Sequence, residues 1–382
     1  MSSIANASGP PSRRAALARR SAAALRALRW AREHMFQSIP AAAVTVLVSF
    51  LLLKGALALL SWGVWHAVWR VPTGADGQPD VTACLDARGV GACWAVIGEK
   101  YRLILFGRYP YDEQWRPCVV VGLFLGLYVV SAIRWFWRPI LISIWTAALT
   151  LIGILMWGGI LGLPFVGQDA WGGLPITLIL ATFGIAAAFP FSVFVALGRR
   201  SQRLPGVRWL CIVYVELIRG VPLVTLLFMA SVMFPLFVPA ELSPDKLVRA
   251  QIAIILFTGA YLAEDVRAGL QAVPKGQYEA ADALGLGYWK RTILIVLPQA
   301  LRLVVPPLVN TFIGLVKNTS LVLIIGTFDL LGISRVATTE LLWQAYSVEV
   351  YLFIATIYFV LCSAMARYSR GLEEARIARA RS

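Results

Sequence analysis

QYEAADALGLGYWKRTILIVLP, the stretch from Gln277 to Pro298, decides how this chain is organised. It is a partly polar, charge-bearing insert between two long apolar segments. Pro274 stands just upstream, where the start of a helix tolerates proline, and Gly285 stands where a left-handed residue ends a helix easily. The sequence therefore predicts a short helix, a glycine stop and a second short helix, held at a membrane surface by the spans on either side. Its chemistry is that of a docking surface.

The composition of the whole chain indicates a polytopic membrane protein. Of its 382 residues, 59% are hydrophobic and 14% are charged, whereas ordinary soluble domains carry roughly 25% charged residues. The net charge of +15 would suggest nucleic acid as a partner of a soluble protein. Here the basic residues border apolar runs, which is typical of charges that orient membrane spans. Nucleic-acid binding is therefore not expected.

Apolar runs and the alternation of charge between them predict an all-α protein with about eight transmembrane helices. Segments assigned to the cytoplasm carry an excess of Arg and Lys, and the others do not, so both chain ends are placed in the cytoplasm. Pro222 is expected to kink or break the fifth span. The predicted spans are about 41–68, 118–133, 140–160, 174–197, 210–238, 247–270, 301–325 and 349–368.

A long polar loop at about 70–117 is predicted to lie outside the cytoplasm, because its basic residues are balanced by acidic ones. Cys84 and Cys93 both lie in it and are the only two of the five cysteines that are close in sequence. An exported loop is an oxidising place, so a disulfide between them is a hypothesis. No CxxC or Cys/His cluster occurs and there are only two histidines, which disfavours metal chemistry.

Several polar residues interrupt the predicted spans and mark candidates for a solute path. They are Glu264 in the sixth span and Lys317, Asn318 and Thr319 in the seventh. Charges inside membranes tend to face a bundle interior or a wet cavity, so these residues could line a passage for a zwitterionic or charged solute. The alternative is structural pairing: Arg267 follows Glu264 by three residues and shares its helix face. Both interpretations stay open, as they do for Lys54 in the first span.

Catalytic chemistry is not expected of this chain. There is no G-x-x-x-x-G-K-[ST] loop to hold ATP phosphates, and the two histidines, His34 and His66, are too near the amino end for a Ser/His/Asp set. A membrane-embedded hydrolase is therefore disfavoured, and no catalytic residue is expected in this chain. If a nucleotide drives transport, the motor is another chain.

Seven positions of the insert carry a resemblance to a known family. They match the E-A-A-x-x-x-G-x9-I-x-L-P loop of the type I, binding-protein-dependent permeases of ABC importers, and they are Glu279, Ala280, Ala281, Gly285, Ile295, Leu297 and Pro298. The stretches VELIRGVPLV, AYLAEDVRAGLQAVPKGQ and LVKNTSLVLIIG resemble the polar amino acid subfamily, with Ala268 standing where that subfamily more often has glycine. The chain also has extra spans, an exported loop and a basic tail. In these features it resembles the permeases of general L-amino acid importers of Gram-negative bacteria.

The resemblance implies a division of the chain into four regions. Residues 1–38 would form a basic cytoplasmic tail, either partly ordered or lying as an amphipathic helix on anionic lipid. Residues 39–172 would hold three extra spans, and residues 173–372 the transmembrane domain of five helices shared with the family. Residues 373–382 would form a second basic tail in the cytoplasm.

The resemblance also implies a mechanism and partners. The insert would be a coupling helix seated on an ATPase subunit, with ATP and Mg²⁺ bound by that partner and not by this chain. Two permease chains, different ones on the family pattern, would pair around a central path in the bacterial inner membrane. Two ATPase subunits would lie below them and a periplasmic amino-acid-binding protein above, and an L-amino acid would cross.

One rival interpretation is an ion- or proton-coupled secondary amino acid transporter. Such a carrier would need inverted repeats and broken helices at the midplane of the membrane. No duplicated segment occurs in the sequence, and the insert would be left without a use. Neither interpretation specifies which amino acid is carried.

Overall fold

The computed structural model describes Arg29, residues 33–74, Gly77 and residues 79–381. This part of the chain forms helices and isolated bridges but no β-strand, which confirms the predicted all-α class. It divides into two compact units, Met1–Cys93 and Trp94–Ser382. The predicted amino-terminal tail over 1–38 lies almost wholly outside the described residues.

The helices are numbered in chain order. The first unit contains α1 (Ile39–Leu60) and α2 (Thr82–Asp86). The second unit contains α3 (Ala95–Phe106), α4 (Trp115–Ala132), α5 (Ile140–Trp157), α6 (Gly173–Arg200), α7 (Pro205–Gly220), α8 (Leu223–Phe228), α9 (Phe234–Phe237), α10 (Lys246–Ala272), α11 (Lys275–Ala283), α12 (Tyr288–Arg291), α13 (Leu297–Leu303), α14 (Val305–Asn318), α15 (Leu330–Ala337) and α16 (Ser347–Arg381).

The first unit joins one long apolar helix to a small disulfide-bonded segment. Ser38 caps α1 with its side chain, and none of the 22 residues of this helix, Lys54 included, is buried. Beyond α1 the chain folds back, so that the Val68 amide donates to the Ala92 carbonyl over 2.7 Å. Cys84 and Cys93 form a disulfide with their Cα atoms 5.5 Å apart, and both residues are fully buried.

The second unit is built on the pair α6 and α10, which run in the same direction. Gln251 of α10 donates to the Leu180 carbonyl of α6 over 3.4 Å in the first half of both helices. In the second half of both, Arg199 of α6 pairs with Glu264 of α10 over 2.8 Å. Apolar side chains such as Leu180, Ile254 and Leu262 are buried between these contacts. The two helices therefore begin at the same end of the pair. At the other end, where both of them finish, lies the insert.

Helices α3 to α5 pack on this pair instead of forming a separate domain. Gly173 starts α6 with a φ of +67°, and a Cβ there would lie 2.3 Å from the Leu105 carbonyl oxygen, so only glycine lets α3 and α6 meet. The wholly buried Arg116 of α4 donates to the carbonyls of Leu155 (2.6 Å) and Pro164 (3.0 Å), which fixes the loop after α5.

The division between compact units thus falls at another place than the division predicted from the resemblance. The structure separates the chain at Cys93/Trp94, whereas the family-like region was predicted to begin at residue 173. The physical reason is a shared core: Phe124 of α4 and Ile152 of α5 belong to the same buried cluster as Ile176 of α6.

Membrane crossing agrees with the predicted number of spans. Seven helices of the described residues are long and apolar enough to cross a membrane, and an eighth crossing is formed if α7 and the α8–α9 segment count as one bent span. The bend of 105° falls between Gly220 and Leu223, and Pro222 caps α8. The predicted break at Pro222 is confirmed, because proline restricts the residue before it to extended backbone and has no N–H for the helix.

Two segments differ from the sequence prediction. The stretch from Phe328 to Val348, which lies between the last two predicted spans and was assigned no helix, contains α15, whose buried face includes Leu330 and Ile333. The helix that holds the last predicted span does not end near residue 368, since α16 continues to Arg381. Helix α16 therefore runs through most of the segment that was predicted as a carboxyl-terminal tail.

Candidate functional site

The insert has the predicted backbone, which is a helix closed by a left-handed glycine. Gly285 follows the end of α11 with a φ of +70°. Its amide donates to the Asp282 carbonyl over 3.0 Å, and the Leu286 amide donates to the Ala281 carbonyl over 3.2 Å. This pair of bonds is the Schellman pattern, which satisfies two of the free carbonyls at the end of a helix. The expected stop at Gly285 is therefore confirmed.

Side chains tie the insert to the ends of α6 and α10. Arg200 of α6 donates over 2.9 Å to the Leu270 carbonyl of α10 and over 2.9 Å to the Tyr278 hydroxyl of α11. Tyr278 in turn donates to the Leu270 carbonyl over 2.8 Å. Helix α11 is thereby bonded to the ends of both long helices. In the sequence, Arg200 belongs to a basic run after the fourth predicted span, which indicates only the cytoplasmic side, and no local signal singles out Tyr278.

An ion pair inside the insert fixes α11 against α12. Arg291 of α12 lies 2.5 Å from the carboxylate of Asp282, and its guanidinium lies 5.7 Å from the ring centre of Tyr278. Gln299 of α13 also donates to Gln277 over 3.0 Å. The signal available in the sequence was the opposite charge of Asp282 and Arg291 across the glycine stop, which sequence analysis left unused.

The matched positions of the insert differ in exposure. Glu279, Ala280, Gly285 and Pro298 are exposed, Ile295 and Leu297 are half-buried, and Ala281 is buried. Beside them, Leu284 is 76% exposed and Trp289 is 61% exposed. The insert therefore presents large apolar side chains on a fixed frame, an arrangement typical of a docking surface.

Glu264 lies at the centre of a cluster of arginines. Its carboxylate accepts from Arg199 of α6 over 2.8 Å and from Arg267 of its own helix, and it lies 4.0 Å from Arg219 of α7. Arg199 also bonds Glu216 of α7 over 2.9 Å. The predicted face shared by Glu264 and Arg267 is confirmed. The cluster holds three helices together, which is the structural alternative that sequence analysis left open.

The other path candidates lie apart from this cluster. Lys317 is exposed on α14, Asn318 is half-buried, and Thr319 is buried and donates to the Val316 carbonyl over 2.8 Å. Among the described residues, none of these three is bonded to Glu264. The contact that links α10 to α14 was missed by sequence analysis, and it joins the Thr311 hydroxyl to Asp265 over 2.9 Å.

At the end of the α6–α10 pair farthest from the insert, buried polar groups form what we call the Asp329 junction: Thr177, Asp329, Gly332 and Tyr358. The fully buried Asp329 caps α15 by accepting from the Gly332 amide over 2.8 Å, and it accepts from the Tyr358 hydroxyl of α16 over 2.9 Å. Thr177 of α6 accepts from the Leu330 amide over 3.1 Å. Burial raises the pKa of Asp329 to about 6. An aspartate before an amphipathic run is a helix-start signal that sequence analysis did not use.

No group of three or more His, Cys, Asp or Glu side chains lies together as a set of metal ligands in the part of the chain that the structure describes. The described site residues consist of an exposed insert, an arginine–glutamate cluster and a buried junction. The insert can serve as a docking surface, and the other two groups join helices by ion pairs and hydrogen bonds.

Comparison with known proteins finds a match over most of the chain. The family of binding-protein-dependent transport system inner membrane components matches residues 188–379. The inner membrane amino-acid ABC transporter permease protein YhdY of Escherichia coli is 46% identical over 91% of this chain and 93% of its own length. The glutamate/glutamine/aspartate/asparagine transport system permease protein BztC of Rhodobacter capsulatus is 35% identical over the same shares. A crystal structure of an amino acid ABC transporter with histidines aligns at 30% identity over 53% of this chain and 92% of that chain, with a TM-score of 0.47.

Proposed function

Because this chain belongs to the family of binding-protein-dependent transport system inner membrane components, and is the permease subunit of an ABC importer, we propose that its insert couples it to a separate ATPase chain. The chain is a multi-pass protein of the inner membrane. ATP and Mg²⁺ would be bound and used by the partner. The permease itself would supply half of a path for L-amino acids.

The observation that carries this proposal is the fixed frame and the exposed face of the insert. Leu284 and Trp289 are largely exposed on an insert whose backbone is closed by the Gly285 stop and whose two helices are tied by Asp282 and Arg291. Exposed apolar side chains on a rigid element favour burial against a partner. In an energy-driven importer, the partner needed at this place is an ATPase subunit, which would receive the insert in a groove.

Force would pass from the insert to the transmembrane helices through Arg200 and Tyr278. These side chains bond α11 to the ends of α6 and α10, so closure of two ATPase subunits would shift all three helices as one body. Glu279 is exposed on α11 and would contact the ATPase directly. Gly285 would keep the insert in the shape that fits the groove.

The proposed substrate is an L-amino acid delivered by a periplasmic binding protein. The support is that two relatives aligned over 91% of this chain are named as permeases for amino acids. A second, homologous permease chain would complete the path, and two ATPase subunits would complete the importer. We propose that Lys317 and Asn318 line the path, with Glu264 and Thr319 placed to support it: Glu264 joins three helices, and Thr319 follows the end of α14.

The experiment compares Glu279→Lys with Glu279→Gln in the complete importer reconstituted in vesicles. Charge reversal is expected to lower uptake and the ATPase stimulation that depends on the binding protein by about tenfold, because a docked contact worth roughly 1.4 kcal/mol or more becomes repulsive. The Gln variant should keep most of both activities. Normal uptake and stimulation in Glu279→Lys, at equal protein in the membrane, would count against the coupling role.

A second measurement separates the proposal from a secondary transporter. Uptake by the reconstituted importer should stop with vanadate and continue with an uncoupler. Transport of an amino acid by this chain alone, without any ATPase, would support the secondary transporter instead.

Orientation is proposed from the charge pattern, with both chain ends and the insert in the cytoplasm and the Cys84–Cys93 segment outside. In intact spheroplasts, a membrane-impermeant maleimide should not label Trp289→Cys, whereas it should do so in inverted vesicles. Mass spectrometry should show alkylation of Cys84 and Cys93 only after reduction. Labelling of Trp289→Cys from the outside would reverse the orientation, and two free thiols in the unreduced protein would exclude the disulfide.

A further inference from the structure

A cavity of about 260 Å³ opens in the second unit at the end of the bundle farthest from the insert. Three segments surround it: the loop that follows α5, the start of α10, and the turn that ends at Phe328. The space corresponds to about nine water molecules at ~30 Å³ each. A small organic molecule or a lipid headgroup therefore fits in it.

Two polar groups of the cavity wall lack a hydrogen-bond partner among the described residues. They are the hydroxyl of Thr327, a residue that is only 8% exposed, and the side-chain carbonyl of Gln168. A buried polar group left without a partner is destabilising. Buried polar atoms in folded proteins are nearly always bonded to protein, water or ligand. Both oxygens are shielded from solvent, so an occupant that supplies hydrogen-bond donors would reach them after a small rotation of each side chain.

The charges of the wall indicate that the occupant carries both signs. Asp169 and Asp245 line the cavity, and neither carboxylate forms an ion pair with a described side chain. Lys246 donates to the Gly326 carbonyl over 2.9 Å and keeps two further ammonium protons. Lys246 is also the first residue of the 27-residue α10, whose amino end carries partial positive charge. The wall thus combines carboxylates, which attract a cation, with an ammonium at a helix start, which attracts an anion.

A fixed pair of aromatic rings also lines the cavity. Trp171 is 5% exposed and its indole N–H donates to the Val166 carbonyl over 3.2 Å. Its ring packs edge to face against Trp157, with ring centres 4.8 Å apart. Both rings border the cavity, and tryptophan is the aromatic residue that attracts cations best.

We propose that this cavity binds a zwitterion that carries a primary ammonium close to an anionic group. The ammonium is held by Asp169, Gln168 and the Trp171 ring, and the anion by Lys246 at the start of α10. Two molecules share this chemistry, a free α-amino acid and the ethanolamine-phosphate headgroup of a lipid. The proposal concerns the opposite end of the bundle from the insert and does not depend on coupling to an ATPase.

The test uses the full-length protein purified with phosphatidylcholine as its only lipid. One arm adds phosphatidylethanolamine or phosphatidylglycerol and counts retained lipids by native mass spectrometry. The other arm measures equilibrium dialysis of ¹⁴C-labelled L-alanine and L-glutamine. Retention of phosphatidylethanolamine above phosphatidylglycerol identifies the headgroup, and dialysis binding identifies the free amino acid.

Variants assign the binding to this cavity. Asp169→Asn and Lys246→Met should each weaken it by about tenfold, because each removes one charge-assisted contact of roughly 1.4 kcal/mol. Thr327→Val should weaken it less, since one neutral hydrogen bond is lost. Glu241→Gln is the matched control: Glu241 is exposed in the turn just before α10 and does not line the cavity, so binding should be unchanged.

Three results would overturn the proposal. The first is that neither probe binds, which leaves the cavity to water alone. The second is binding that is equally strong in Asp169→Asn and Lys246→Met, which assigns it to another site. The third is a preference for phosphatidylglycerol, which requires an anion site without a cation site. Thermal unfolding of each variant is measured alongside and separates weaker binding from a folding defect. Asp169→Asn should unfold like the natural protein because Asp169 is exposed.

Discussion

The insert and the Asp329 junction hold opposite ends of the same pair of helices by different means. The insert is closed by bonds between near neighbours, such as Leu286 to Ala281 and Arg291 to Asp282. The junction joins groups far apart in the chain: Leu330 lies 153 residues beyond Thr177, and Tyr358 lies 29 residues beyond Asp329. One region is therefore encoded by consecutive residues, and the other exists only when the whole unit is folded.

The insert and the Asp329 junction also differ in burial. Glu279 and Leu284 of the insert are exposed, whereas Asp329 and Thr177 of the junction are fully buried. A substitution in an exposed region should cost little stability. It should weaken docking, however, since the contacts of that region are made with a partner. A buried polar region has the reverse character, because its groups have no water to replace a lost partner. Function should thus be sensitive at the insert and stability at the junction.

The largest expected effect is at Gly285, where Gly285→Pro should abolish uptake. Proline fixes φ near −65°, whereas Gly285 has a φ of +70°, and it lacks the N–H that bonds the Asp282 carbonyl. The loss of the stop should turn Leu284 and Trp289 away from the groove. Uptake by the reconstituted importer should fall by more than about tenfold, the equivalent of roughly 1.4 kcal/mol or more of lost coupling, while protein in the membrane stays normal.

The control for this change is Gly276→Ala in the first turn of α11. A Cβ at Gly276 meets open space and its φ is not positive, so uptake should be kept. If Gly285→Pro transported as well as Gly276→Ala, the insert would not depend on its backbone shape and the contrast with the junction would fail.

The next effect concerns pH and the junction. Burial raises the pKa of Asp329 from 3.8 to about 6, so the native state holds a proton that the unfolded chain releases. The free energy of unfolding should therefore fall as pH rises from about 4 to about 6, by up to ~3 kcal/mol, and should not change further above that window through this group. Thermal unfolding in detergent across this range measures the slope.

Asp329→Asn provides the comparison, because an amide keeps an acceptor oxygen for the Gly332 amide but does not titrate. The slope between about pH 4 and pH 6 should be smaller in this variant by the contribution of one carboxyl group. Equal slopes in the two proteins would show that Asp329 is not protonated in the native state, and the junction would then be no more than a helix cap.

The smallest effect is expected for substitutions of two tyrosines, one at each end of the helix pair. Tyr358→Phe removes the donor to the fully buried Asp329 and should lower the free energy of unfolding by about 1–2 kcal/mol. Tyr278→Phe removes a hydroxyl at the half-exposed insert and should lower it by less than about 0.5 kcal/mol. Thermal unfolding measures stability, and uptake measures coupling.

The reverse ranking should appear in transport. Tyr278→Phe weakens the link from Arg200 to α11, so it should reduce uptake more than Tyr358→Phe does. A larger stability loss at Tyr278 than at Tyr358 would invert the contrast drawn between the two ends.

The sequence by itself determined the membrane class, the break at Pro222 and the backbone of the insert. Each of these rests on information held by neighbouring residues: runs of apolar side chains, a proline without an N–H, and a glycine that alone takes a left-handed turn at no cost. The same kind of local reasoning brought out Glu264 and Arg267 as one helix face, because their spacing of three is fixed by the helix. The match of the insert to its family was likewise a matter of fixed spacing along one stretch.

Only the tertiary structure decided which residues act together across the chain. Arg199 on Glu264, Arg200 on Tyr278 and Tyr358 on Asp329 are pairs separated by tens of residues. It also placed α3 to α5 in one body with the α6–α10 pair. Spans that are apolar all round give no face from which to predict neighbours. Their partners are selected by packing and by the cost of leaving a buried polar group unpaired, and both depend on the whole fold.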